Sequence, residues 1–166
     1  MAGDWHIDLS GGKPAAFAAL RQGVQALLAG EPSRTANLAN VTAAIQATFS
    51  WHWVGFYLVD VERDELVLGP FQGPVACTRL RRDKGVCAAA WTSLQMVNVP
   101  DVEAFPGHVA CSSLTQSELV LPVVVDGEVV AVLDIDSVQP ADFDAADEAG
   151  LAALVEEIET LWSSWR

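Results

Sequence analysis

The sequence predicts an α+β domain, a mostly antiparallel sheet with helices packed against it. Three observations predict it. Apolar residues recur at helical spacing near both ends of the chain. Between them the pattern changes to runs rich in aromatic and β-branched residues. And Asp126-Gly127 separates two such runs, a strong hairpin signal.

The elements follow in order. Residues 1–13 form a lead-in, and 14–166 form the domain. From Pro14 to Leu28, the residues Phe17, Leu20, Val24, Leu27 and Leu28 share a helical face, and Gly30 ends the pattern. Ser33 caps a second helix carrying Leu38, Val41, Ile45 and Phe49. WHWVGFYLVD is then a strand, and DELVLGP is its hairpin partner across an ERD turn. VACTRL is a short strand, VCAAAWTSL a short helix and MVNV another short strand. DVEAFPGHVACSSLTQ is a long connection, a length often tied to function. SELVLPVVV and EVVAVLDIDS form the Asp126-Gly127 hairpin. A last helix starts near Asp144, with Leu151, Leu154, Val155, Ile158, Leu161 and Trp162 on one face.

Composition excludes several functions. The chain has 166 residues, about one domain's worth. Hydrophobic residues make up 51% and charged residues 19%, which excludes a disordered chain. Nine Lys and Arg against 22 Asp and Glu give a net charge of −13. That disfavours nucleic acid and anionic membranes as partners. No apolar run reaches transmembrane length. The start, MAGDWHIDLSGGKP, lacks the basic and apolar parts of a signal peptide. The expected location is the cytoplasm, where cysteines stay reduced unless catalytic or redox-sensing.

Three groups of residues carry candidate chemistry. Cys77, Cys87 and Cys111 form no CxxC pair, so zinc-ribbon and thioredoxin motifs are absent. No spacing with His6, His52 or His108 supports a metal site. Arg79, Arg81, Arg82 and Lys84 gather four of the nine basic residues beside Cys77. Such an island lowers a thiol pKa, or it is a solvated basic edge. His108, three residues before Cys111, is placed to act as a base or to raise thiolate character, but a loop histidine with no visible partner is more often structural or exposed.

The second group is acidic. LDIDS puts Asp134 and Asp136 on one strand face, with Val132 and Val130 behind them. Either the strand emerges into solvent there or the pair lines a pocket that binds a cation. The register of Glu118 depends on the hairpin. A two-residue loop sets Glu118 opposite Ile135, away from the aspartates. A three-residue loop sets it opposite Asp134, and an equivalent bulge also brings the three acids to one face. Pro122 signals an edge or a bulge. The third group is aromatic: Trp53 and Tyr57 flank Gly55 on one face, as core or as a slot for a ligand.

The pieces WVGFYL, ELVLGPFQGPVAC, KGVC, DVEAFPGHVAC, SELVLPV and DGEVVAVLDIDS together resemble the free methionine-(R)-sulfoxide reductases, which are built on a GAF domain. The resemblance covers roughly residues 14–160. It implies a single GAF domain with a central six-stranded antiparallel sheet flanked by helices. It implies that Cys111 is the nucleophile, Cys77 the resolving cysteine and Cys87 an auxiliary one. By the same resemblance Glu118, Asp134 and Asp136 hold the substrate, Glu118 being also a catalytic residue, with Trp53 and Tyr57 as the aromatic wall. It implies no bound cofactor and no metal. The external reductant is expected to be thioredoxin, itself reduced by NADPH through thioredoxin reductase, and the assembly a homodimer. Ser112, Ser113, Asp83 and Ala88 depart from the family pattern around the cysteines. The rival expectation is a GAF module that senses a small ligand or redox state without catalysis. A sensor is usually joined to an output domain, and none is expected here.

Overall fold

The computed structural model describes residues 4–166. Helices α1 (Lys13–Leu28) and α2 (Arg34–Phe49) open the domain. Pro14 stands in the first turn of α1, where a missing N–H costs nothing. The Ser33 side chain caps α2 by accepting from the Ala36 N–H. Strands β1 (Trp53–Asp60), β2 (Glu65–Gln72) and β3 (Arg79–Arg81) follow, then helix α3 (Val86–Ser93). Strands β4 (Val97–Val99), β5 (Ser117–Val125) and β6 (Glu128–Ser137) complete the sheet, and helix α4 (Ala145–Leu161) closes the chain. Asp144 and Asp147 form a reciprocal capping box at the start of α4.

All pairings are antiparallel, and the six strands lie in the order β3-β2-β1-β6-β5-β4. The expected α+β class and six-stranded sheet are therefore present. VACTRL differs from expectation: the strand is Arg79–Arg81, and Cys77 precedes it in a loop. Pro70 and Pro122 both lie beyond the short partners β3 and β4, which pair only with residues 65–67 and 118–120. Their missing N–H groups thus face open edges.

The sheet separates two apolar clusters. On one face Phe17, Leu20, Leu38, Ile45, Leu151 and Leu154 of the long helices meet Val54, Phe56, Leu119, Leu133 and Ile135. Each such buried side chain stabilises the fold by about 1.5–3 kcal/mol. On the other face α3 and the loops cover Trp53, Tyr57, Val120 and Val132. That second face carries the polar residues of the central strands.

The β5–β6 register settles the open question. The turn is the two-residue version, with Val125 opposite Glu128 and both Asp126 and Gly127 at positive φ. These are the dihedrals of the hairpin turn that Asp-Gly favours. Yet the register shifts by one between Val123 and Val124, leaving Val130 unpaired. This bulge sets Glu118 opposite Asp136 rather than Ile135. It also swaps the predicted faces at the strand start: Val129 packs with the α3-side cluster and Val130 with the long-helix side.

No helix among the described residues is long and apolar enough to cross a membrane.

Candidate active site

Three strands meet under a pocket that is closed over by the loops carrying Pro74–Ala76 and His108–Ser112. In β1, Trp53 pairs with Asp136, Gly55 with Asp134 and Tyr57 with Val132. Strand alternation therefore puts two aromatic rings and two carboxylates on the same face. Glu118 reaches that face through the Val130 bulge. Gly55 is not a slot for a ligand. The Trp53 ring lies over it and stacks on Phe71 at 5.3 Å between centroids, so a methyl group at Gly55 would overlap the indole.

The cysteines arrive on loops. Cys77 and Cys111 are joined by a disulfide with Cα atoms 5.6 Å apart, well inside the range a disulfide requires. The sheet holds the Cys77 loop from below. The Tyr57 hydroxyl donates to the Cys77 carbonyl at 2.9 Å, and Trp53 Nε1 donates to the Pro74 carbonyl at 3.1 Å. Ser112 anchors the other loop: its Oγ lies 3.1 Å from His52 Nε2 and accepts from the Leu114 N–H. This departure from the family pattern thus has a local structural role. Cys87 is a free thiol in the first turn of α3, 4% exposed.

Electrostatically the pocket is unusual. Glu118 and Asp134 are each 6% exposed, and the pocket also includes Asp136. Burial pushes the Glu118 carboxyl well above its ordinary range, and the Asp136 charge pushes it further. Asp134 is raised by burial and then by Glu118. Asp136 is raised by burial and then by Asp134. Burial likewise raises the Cys87 thiol, with Asp134 adding to it. Asp134 Oδ1 is buried without a hydrogen-bond partner. A buried acceptor left unpaired in an acidic pocket is suited to a cationic ligand group.

Opposite the acids lies the start of α3. Gly85 is its N-cap with φ +92°, and no side chain caps the helix. The first-turn N–H groups therefore stay available, at the positive end of the helix. Gly85, Val86 and Cys87 all line the pocket, as does Lys84. The site thus has one acidic wall and one wall that favours anions.

The family model for the GAF domain matches residues 31–162. Among relatives, GAF domain-containing protein A of Dictyostelium discoideum is 50% identical over 159 residues, covering 96% of this chain and 99% of its own. The free methionine-R-sulfoxide reductase of Escherichia coli is 44% identical over 144 residues, covering 86% of each chain. The structure of the Neisseria meningitidis free methionine-R-sulfoxide reductase in complex with its substrate superposes with a TM-score of 0.94. It is 44% identical and covers 98% of this chain and 97% of that one.

The chain belongs to the GAF-domain family of free methionine-R-sulfoxide reductases.

Within this GAF domain Cys87, Cys111, Glu118, Trp53, Tyr57, Asp134 and Asp136 line one pocket, and Cys77 is tied to it through its disulfide to Cys111. The basic island divides. Arg79 pairs with Asp60 at 2.7 Å and with Glu65 at 3.4 Å. Arg81 pairs with Asp83, and Arg82 with Asp64 while lying over the Trp91 ring. The three arginines are a solvated edge, and only Lys84 reaches the pocket.

Two further pocket residues, His108 and Thr115, carried no assigned role in the sequence. His108 has a partner after all, with Nε2 3.3 Å from Glu118 Oε2. Burial lowers its pKa, so the neutral imidazole is favoured. Its spacing three residues before Cys111 was the available signal. Thr115 also lines the pocket, buried, and had no distinguishing pattern in sequence.

Proposed function

We propose that the chain reduces free L-methionine-(R)-sulfoxide to methionine. One observation carries this reading: a disulfide-forming cysteine pair lies over a pocket of buried carboxyls. The pair supplies two electrons, and the pocket suits a free amino acid. Asp134 Oδ1 and its acidic neighbours receive the α-ammonium. The uncapped start of α3 and Lys84 receive the α-carboxylate. Trp53 and Tyr57 support the side chain. A sulfoxide inside a polypeptide has neither free terminus and is refused.

The chemistry then runs in three steps. The Cys111 thiolate attacks the sulfoxide sulfur while Glu118 gives a proton to the oxygen. Methionine leaves and Cys111 keeps the oxygen as a sulfenic acid. The Cys77 thiol attacks that sulfur, a disulfide forms and water departs. The Cys77–Cys111 bond in the structure is the bond that this step would form, and it supports the reading. An external dithiol then reduces it by thiol–disulfide exchange. Cys87 stays a buried thiol and acts as an auxiliary residue.

The reductant in this reading is thioredoxin, recharged by NADPH through thioredoxin reductase. Val75 and Leu114, 89% and 61% exposed, flank the disulfide in sequence and offer apolar ground for such a protein. A cytoplasmic homodimer protecting methionine under oxidative stress completes the proposal. The test is a turnover assay with dithiothreitol or thioredoxin. Free L-methionine-(R)-sulfoxide is consumed, and neither the (S) epimer nor a peptide-bound sulfoxide is. Equal rates on free and peptide-bound sulfoxide refute the role given to the acidic wall.

A further inference from the structure

Cys87 has no electron-transfer step in the proposed cycle, yet it faces the acids that hold the substrate. Its Sγ, a Glu118 oxygen and an Asp134 oxygen all lie within 4.8 Å of one another. All three residues are buried. Four-coordinate zinc, with bonds of about 2.0–2.3 Å, holds its donors roughly 3.3–3.8 Å apart. A small contraction of the three side chains therefore closes around such an ion.

The donor set selects the metal class. One thiolate with two carboxylates suits Zn²⁺ and disfavours Mg²⁺ and Ca²⁺, which prefer all-oxygen sites. The fourth position falls to water or to His108, whose Nε2 lies 3.3 Å from Glu118. A second observation on one of these donors also points to a cation: Asp134 Oδ1 is buried and has no hydrogen-bond partner. We propose that Cys87, Glu118 and Asp134 form a Zn²⁺ site within the pocket, which the metal and the amino-acid substrate occupy in turn.

Binding needs neither Cys77 nor Cys111, so the disulfide form keeps the site. The Cys87 S–H bond breaks, the proton goes to solvent and an S–Zn bond forms. No electron moves. The metal takes the acids that otherwise receive the ammonium, so ion and amino acid exclude each other. This last point rests on the proposed function; the existence of the site does not.

Cobalt(II) is the probe, because thiolate ligation gives it a charge-transfer band in the near ultraviolet. The oxidised protein, with its disulfide intact, is titrated with Co²⁺ and then with Zn²⁺. The expected result is one equivalent of Co²⁺ with a thiolate band, erased by Zn²⁺. Cys87→Ala abolishes the band. Asp134→Asn, which keeps the thiol, weakens binding by at least about tenfold. Circular dichroism confirms that both variants fold. An absent band in the folded wild-type protein, or an unchanged band in Cys87→Ala, overturns the proposal. Added L-methionine-(R)-sulfoxide should displace the cobalt. A Cys87-dependent band that survives saturating sulfoxide leaves the metal site standing and refutes the pocket's assignment to that substrate.

Discussion

Glu118 stands directly opposite Asp136 in the β5–β6 ladder, with Asp134 two residues away on the same face. Three carboxyl groups thereby share a largely buried pocket in which their charges repel. Such an arrangement weakens the fold at neutral pH when no ligand is present. In the proposed function, binding energy from a substrate ammonium offsets that weakness.

This gives a pH dependence of stability with a definite sign. In the unfolded chain these acids ionise near 4.5 for Glu118 and 3.8 for the two aspartates. In the folded chain they hold their protons to higher pH. The folded state binds more protons between those values and the raised ones, so stability is full below about pH 4 and falls as pH rises. Each retained proton contributes a slope of about 1.4 kcal/mol per pH unit. Denaturant titrations of the ligand-free protein from pH 4 to 8 should show this decline. Asp134→Asn should flatten it, raising stability at pH 8 while destroying activity. A stability that climbs over this range contradicts the buried, proton-holding assignment.

The proton-donor role proposed for Glu118 has its own signature. Glu118→Gln should lower kcat/KM by about 10²–10⁴-fold, the usual worth of a positioned acid. The wild-type rate should fall as pH passes the raised Glu118 value, and that limb should vanish in the variant. His108 touches Glu118, and in the proposed function it acts through that contact. His108→Ala should lose about tenfold, near the worth of one polar contact, and His108→Gln should recover much of it. Identical losses in both His108 variants would mean a packing role only.

The start of α3 offers a test on the opposite wall. Gly85 adopts φ +92°, and a Cβ there would sit 3.2 Å from Val109 Cγ2. Gly85→Ala should destabilise the fold by about 1–2 kcal/mol. It should also raise KM more than it lowers kcat, since the N–H groups proposed to bind the carboxylate move. A pure stability loss with unchanged KM removes α3 from substrate binding.

Much of the fold was legible because local signals agreed with one another. The helical faces, the Ser33 and Asp144 caps and the Asp126-Gly127 turn each name their own geometry. The site was less legible. Val130 carries no mark of a bulge among the valines around it, yet it alone decides whether Glu118 faces Asp136. The basic run around Arg79 gave a charge but not its partners, which come from β1, β2 and the turn between them. Gly55 suggested space for a ligand, and only packing reveals that the neighbouring indole fills it. His108 lacked a partner because Glu118 is ten residues away and on another element. Contacts made through the sheet escape a reading of local pattern.

The central claim is that Cys111 takes the oxygen and Cys77 resolves it. Cys77→Ser, fully reduced and mixed with free L-methionine-(R)-sulfoxide, tests this most directly. Without its resolving partner it should release one equivalent of methionine and stop. A sulfenic-acid trap followed by peptide mapping should then label Cys111. Labelling of Cys87 instead, or continued turnover at the wild-type rate, contradicts the account.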